Sequence, residues 1–235
     1  AAIANVLAQS TTGVNTGASY GGVSNAADSL TLPLIMKNNG ARDFDTVFNV
    51  QNAGSTDVSV TVAYIPRDSN SGNSGCKQTA TIKPGASATF DQGKDADASF
   101  TGCNGGLLGD DSSFVGSATF STASGAIVAA ALESNQLTLF AYTGFVQGST
   151  TPVLPLINAN NNGNQTGVQI ANLGSQDTEV TVSYTPGTNG TACTEKRTIA
   201  AGGSTTFALN AFVDSTLGSA ENCNNGERFI GSGIV

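Results

Sequence analysis

The sequence predicts an all-β protein made of two tandem immunoglobulin-like antiparallel β-sandwiches. Three observations carry that reading. Apolar residues alternate with polar ones over short runs, as in Val58, Val60, Val62 and Tyr64, the period of a strand with one buried face. The runs are bounded by Asn-Gly, Pro-Gly and Gly-Ser pairs, the punctuation of the tight turns of a sandwich. No stretch has the apolar period of an amphipathic helix.

The chain repeats itself. VQNAGSTDVSVTVAYIP (Val50 to Pro66) matches IANLGSQDTEVTVSYTP (Ile170 to Pro186) without a gap, at an offset of 120 residues. Upstream, Leu-Pro-Leu-Ile beginning at Leu32 recurs at Leu154. Downstream, GASATF ending at Phe90 recurs as GGSTTF ending at Phe207, and FVGS from Phe114 recurs as FIGS from Phe229. Matches that keep their order along a hundred residues imply two copies of one domain.

Taken in order, residues 1–23 read as an apolar strand, a Gly- and Thr-rich turn and a second strand that includes Tyr20. Residues 24–29 are a linker, 30–146 the first sandwich, 147–151 a second linker, and 152–235 a second, incomplete sandwich. Pro33 and Pro155 interrupt strand-like runs, so they belong at an edge or a bulge, because proline cannot donate to a ladder. Lys-Pro-Gly at Lys83 reads as a turn entering a strand. Cys76 and Cys103 fall in the first copy, and Cys193 and Cys223 fall at matching places in the second. The economical pairing is one bridge per domain, Cys76–Cys103 and Cys193–Cys223. The spacing and the lack of histidine argue against zinc, and two bridges imply an oxidising compartment.

Composition narrows the function classes. Of 235 residues only 11% are charged, the net charge is −8, and there is neither Trp nor His. An acidic chain without a basic face is not expected to bind nucleic acid or an anionic membrane. No apolar run approaches the ~18 residues of a membrane helix. A start at Ala1 fits removal of a signal peptide, so the expected location is extracellular or at the cell surface.

The first copy continues past Phe120 with AIVAAALES and LTLFAYTGF, two further strands that have no counterpart in 152–235. The N-terminus does match them. SYGGVSNAADSLTLPL overlays AYTGFVQGSTTPVLPL, with Tyr20 on Tyr142, and the apolar stretch before it overlays AIVAAALESN, with Ile3 on Val128 and Leu7 on Leu132. The chain thus reads as circularly permuted relative to its own repeat, with the break at Ser121–Gly125, which reads as a hairpin turn. Residues 1–23, with Ala2, Ile3, Val6, Leu7 and Tyr20 as apolar contacts, are expected to complete a second-type domain. The acceptor groove is expected along Val168, Ile170, Val180, Val182, Tyr184, Ile230 and Ile234. If the strands come from a neighbouring molecule, the contact is head-to-tail and propagates as a fibre. Closure on the same chain, and excision from a longer tandem array, are the other arrangements.

This organisation resembles donor-strand polymers: the subunits of chaperone–usher pili and the extracellular filaments of the TasA and archaeal bundling-pilus kind. The resemblance is architectural and covers residues 1–22 and the open second domain. It implies a homopolymer of identical subunits with a structural role in a cell-surface filament. Two sandwiches per chain, and a donated hairpin instead of one strand, depart from that pattern.

The chemistry of catalysis is not legible here, and no enzyme activity or cofactor is expected. Without His there is no Ser-His-Asp or Cys-His arrangement. Ser74-x-x-Lys77 matches a bare acyl-enzyme spacing but sits in a Gly/Ser/Asn loop and is absent from the second copy. Asp91, Asp95 and Asp97 cluster in one loop and Asp43 with Asp45 in another; a solvated acidic loop is the plainer reading than calcium, since the spacing is not that of an EF-hand. Asn164 and Asn189 head candidate glycosylation sequons. The competing function, an adhesin or carbohydrate-binding module of a tandem-repeat surface protein, has little aromatic platform at 6% aromatics.

Overall fold

The computed structural model describes residues 2–9, 13, 15–40, 43–67, 76–91, 100–101, 113–135, 137–209, 219–221, 223 and 226–235. Every regular element among them is a β-strand, and all the ladders are antiparallel. The chain divides into two compact units, Ala1–Gln147 and Gly148–Val235.

In the first unit, β1 (Ile3–Gln9) and β2 (Asn15–Gly21) form a hairpin that is a sheet of its own. There follow β3 (Ser29–Lys37), β4 (Asp45–Asn52), β5 (Val58–Pro66), β6 (Lys77–Ile82), β7 (Ser87–Asp91), β8 (Phe100–Thr101), β9 (Phe114–Ser121), β10 (Ile127–Ser134) and β11 (Leu139–Thr143). They build two sheets, in the orders β11-β10-β4-β7 and β3-β9-β5-β6-β8. Alternation sets which side chains are buried. On β5, Val58, Val60, Val62 and Tyr64 are buried while Ser59 is exposed. Phe48 of β4 stacks on Phe90 at 5.0 Å between centroids and meets Phe120 edge-on at 5.2 Å, an arrangement favoured by the ring quadrupoles. The first core thus joins residues of both sheets.

The second unit contains β12 (Val153–Ala159), β13 (Val168–Ala171), β14 (Thr178–Asn189), β15 (Cys193–Ile199), β16 (Ser204–Phe207), β17 (Ser219–Glu221) and β18 (Phe229–Ile234). Its sheets run β12-β18-β14-β15-β17 and β13-β16. A separate core gathers Ile157, Val182, Tyr184, Ile199, Phe207 and Phe229.

The two units share details beyond strand order. Asn52 Nδ2 donates to the carbonyls of Thr56 (2.7 Å) and Ile82 (3.0 Å), and its Oδ1 accepts from Gly54 N (2.9 Å). Asn172 makes the same three bonds with Gln176, Ile199 and Gly174 at 2.7, 3.0 and 2.9 Å. Thr46 Oγ1 accepts from Met36 N at 2.8 Å, and Thr166 Oγ1 from Asn158 N at 3.0 Å. A Cβ on Gly116 would lie 2.1 Å from the Ile65 carbonyl oxygen, and one on Gly231 2.2 Å from that of Thr185. Both prolines sit at ladder irregularities, between Leu32 and Ile35 and between Leu154 and Ile157, where the missing N–H is not needed.

One expectation needs correction. Ser121–Gly125 is not a hairpin turn: β9 pairs with β3 and β5, whereas β10 pairs with β4 and β11. The segment carries the chain from one sheet across to the other. Short apolar runs with a turn between them do not reveal whether their strands pair with each other or face each other. Cys193 and Cys223 are bonded, with Cα atoms 5.0 Å apart. Cys76 is buried and disulfide-bonded; Cys103 lies outside the described residues.

Candidate functional site

The site is best described from the intact counterpart. In the first unit β10 lies between β4 and β11, and Ile127, Ala129 and Ala131 turn inward to full burial. Ala131 and Ala129 lie beside Phe48 and Val50 of β4, which are completely buried. In the second unit β13 occupies the place of β4 and pairs with β16 on one side only; among the described residues no strand pairs with its other edge.

The exposure follows. Val168, Ile170 and Val180 stand where Phe48, Val50 and Val60 stand, yet they are only partly buried. Val153 is 71% exposed and Leu156 60%. Their counterparts Thr31 and Leu34 are covered by β11 and the residues after it: Thr31 exchanges two 2.9 Å backbone bonds with Phe145, and Leu34 O accepts from the Tyr142 hydroxyl. Among the described residues the outer edge of β13 thus carries no partner strand and lies beside partly exposed apolar side chains, the combination that favours strand addition.

The expected groove residues divide. Val182 and Tyr184 are in the core, and Val168, Ile170 and Val180 line its open side. Ile230 and Ile234 do not: on β18 the buried residues are Phe229 and Gly233, and Ile234 is half-exposed on the other face. The register overlay gave the strand but not which of its faces turned inward. Val235 and Leu154 pack against the second core instead. Arg197 also lies against it, with its guanidinium carbon 5.4 Å from the Phe207 ring centre, at the place of Ala80 in the first unit. Tyr184 Oη donates to Glu195 Oε2 at 2.5 Å, as Tyr64 Oη donates to Gln78 Oε1 at 2.9 Å. Burial and the neighbouring carboxylate push the Tyr184 phenol well above its ordinary range.

The hairpin carries the matching geometry. Gly22 N donates to Ala2 O at 2.8 Å, as Gly144 N donates to Ala129 O at 2.9 Å. Tyr20 pairs with Ala4, as Tyr142 pairs with Ala131. Paired residues of an antiparallel ladder share a face, so Ala2, Ala4, Val6, Ala18 and Tyr20 lie on one side. Ile3 and Leu7 lie on the other, 74% and 86% exposed. The hydrogen bonds also move the overlay by two residues: Ile3 corresponds to Ala130, not Val128, and Leu7 to Ser134, not Leu132. The sequence overlay placed the length difference at the turn, but pairing counted from the open end fixes the strand instead.

The counterpart site shows how burial is balanced. Glu133 is buried opposite Thr46 and diagonally across the ladder from Tyr142, and burial pushes its carboxyl up to about 8 against the downward pull of a hydrogen bond with Tyr142. The Tyr142 proton is directed at Leu34 O. On the hairpin the same place is taken by Val6, which brings no charge.

The remaining candidates lie apart. Asn164, in the turn before β13, and Asn189, at the end of β14, are exposed; Asn164 Nδ2 donates to Asn161 O at 3.0 Å. Asp91 ends β7, whereas Asp95, Asp97 and Ser74 lie outside the described residues. Among the described residues no three His, Cys, Asp or Glu side chains are grouped to hold a metal, and no helix is long and apolar enough to cross a membrane. No protein-family model, curated protein or solved structure matches this chain.

Proposed function

We propose that the protein is a structural subunit that assembles head-to-tail, the β1–β2 hairpin of one copy completing the second unit of the next. On this reading the units are tandem sandwiches of one type, and the chain is circularly permuted relative to them. The single observation that carries the proposal is the pair of two-stranded sheets: β13–β16 has half the strands of β11-β10-β4-β7, and β1–β2 has the internal bonding of the missing half. Order along the chain supports exchange between copies. The hairpin leads through residues 24–29 into β3, as β11 leads through 147–151 into β12. The hairpin of one subunit would therefore follow the second unit of another, and the contact does not close on itself.

The driving force is apolar. Covering Val168, Ile170, Val180, Val6 and Tyr20 contributes ~1.5–3 kcal/mol for each side chain wholly buried, before the cost of ordering. Backbone bonds along β13 add direction. The proposed subunit is secreted, in keeping with its disulfides.

Negative-stain microscopy of the full chain, with and without residues 1–23, tests the proposal. Fibres with a bilobed repeat that vanish on deletion are expected. Discrete 23.5 kDa particles from the full chain would sink it.

A further inference from the structure

We infer that the joint is set in register by a tyrosine latch: Tyr20 of one copy donates its hydroxyl hydrogen bond to the Leu156 carbonyl of the next. The inference rests on hairpin exchange and specifies which atoms meet.

Three observations carry it. In the first unit the ladder between β3 and β9 skips the residues between Leu32 and Ile35. The Leu34 carbonyl freed by that skip takes the hydroxyl of Tyr142. In the second unit the ladder skips the same Pro-Leu step, between Leu154 and Ile157. Leu156 is thus left outside the ladder, with its side chain exposed.

Tyr20 is the other half. It pairs with Ala4 as Tyr142 pairs with Ala131, and its hydroxyl makes no hydrogen bond among the described residues. A phenol that enters an apolar joint needs a partner, because burying it unpaired is costly. The Leu156 carbonyl is the one at the corresponding place.

The register follows for the rest of the contact. Thr31 and Phe145 exchange two backbone bonds, and their counterparts are Val153 and Val23. Phe48 is paired with Ala131, Val50 with Ala129 and Asn49 with Ala130. The corresponding pairs between copies are Val168 with Ala4, Ile170 with Ala2, and Gln169 with Ile3. The last pair turns away from the core, so it can be probed without disturbing packing. A slip of two residues, the register of the sequence overlay, would set Asn5 against Gln169 instead.

The experiment compares two double variants of the full chain under mild oxidation: Ile3→Cys with Gln169→Cys, and Asn5→Cys with Gln169→Cys. Directly paired residues lie within disulfide reach, with Cα atoms ~4.5–5.5 Å apart. The first variant is expected to give a ladder of covalent oligomers on a non-reducing gel, and the second at least tenfold less. A ladder from the second variant alone overturns the register while leaving exchange intact. A cross-linked monomer from either overturns exchange itself. Tyr20→Phe, which keeps the ring, is expected to weaken assembly about fivefold, as the loss of one hydrogen bond does. Unchanged assembly by Tyr20→Phe removes the latch. Fibres from the unmodified chain with no ladder from either variant would likewise reject this register without touching the parent reading.

Discussion

Asn52 and Asn172 each tie three backbone groups with one amide. Aspartate has the same shape but no N–H to give, so two carbonyls would be left unmet beside a charge. Asn52→Asp and Asn172→Asp are each expected to cost ~2–4 kcal/mol in chemical denaturation. An Asn172→Asp variant as stable as the parent would show that these bonds contribute little. Glu133 gives a pH prediction. Its folded carboxyl titrates near 8 and its unfolded one near 4.5. Between those values the unfolded chain has lost the proton that the folded chain still holds. Stability is therefore fully present below about 4.5 and falls as pH rises toward 8, at up to ~1.4 kcal/mol per pH unit. Glu133→Gln should flatten melting temperature against pH across this range and raise it at pH 8. A slope unchanged by the substitution would reject the assignment.

At the scale of elements, the close approach of β9 to β5 and of β18 to β14 depends on glycine. A Cβ at Gly116 or Gly231 would lie well inside contact distance of a backbone oxygen, so the strand must move. Alanine at either position is expected to destabilise its own unit by more than ~3 kcal/mol, seen as loss of one of two melting transitions. The Cys193–Cys223 bridge closes a separation of 30 residues. Replacing both with serine should cost about 3–4 kcal/mol in the chain-entropy model and lower the second unit's transition while leaving the first in place. The repeat was legible at this scale because turn and strand residues recur in order. The sheet assignment of β9 and β10 was not, because alternation reports that a strand has a buried face and not which sheet holds it.

For the whole molecule, the donated side of the proposed joint carries no charged side chain: residues 1–27 contain no Asp, Glu, Lys or Arg, so Arg197 on the acceptor side meets no carboxylate from the hairpin. Salt screens charge pairs and leaves apolar contacts standing. Assembly should therefore be as complete in 1 M sodium chloride as in 50 mM, measured by sedimentation. Fibres that dissociate in high salt would point to a charged interface elsewhere. A chain lacking residues 1–23 should remain folded and bind more hydrophobic dye at its second unit. Adding a peptide of residues 2–22 should reverse that binding.

The sequence by itself determined that this protein is built of strands, that it repeats, and that one copy carries two strands more than the other. Those properties are written in local alternation and in the order of short motifs, which need no contact to be read. The tertiary structure decided which way the strands face. Ile3 and Leu7 turn from Val6 and Tyr20, Ile230 and Ile234 turn from Phe229, and the hairpin register moves by two residues. A strand offers two faces at equal spacing along the chain, and only its pairing with a neighbour selects the one that is buried.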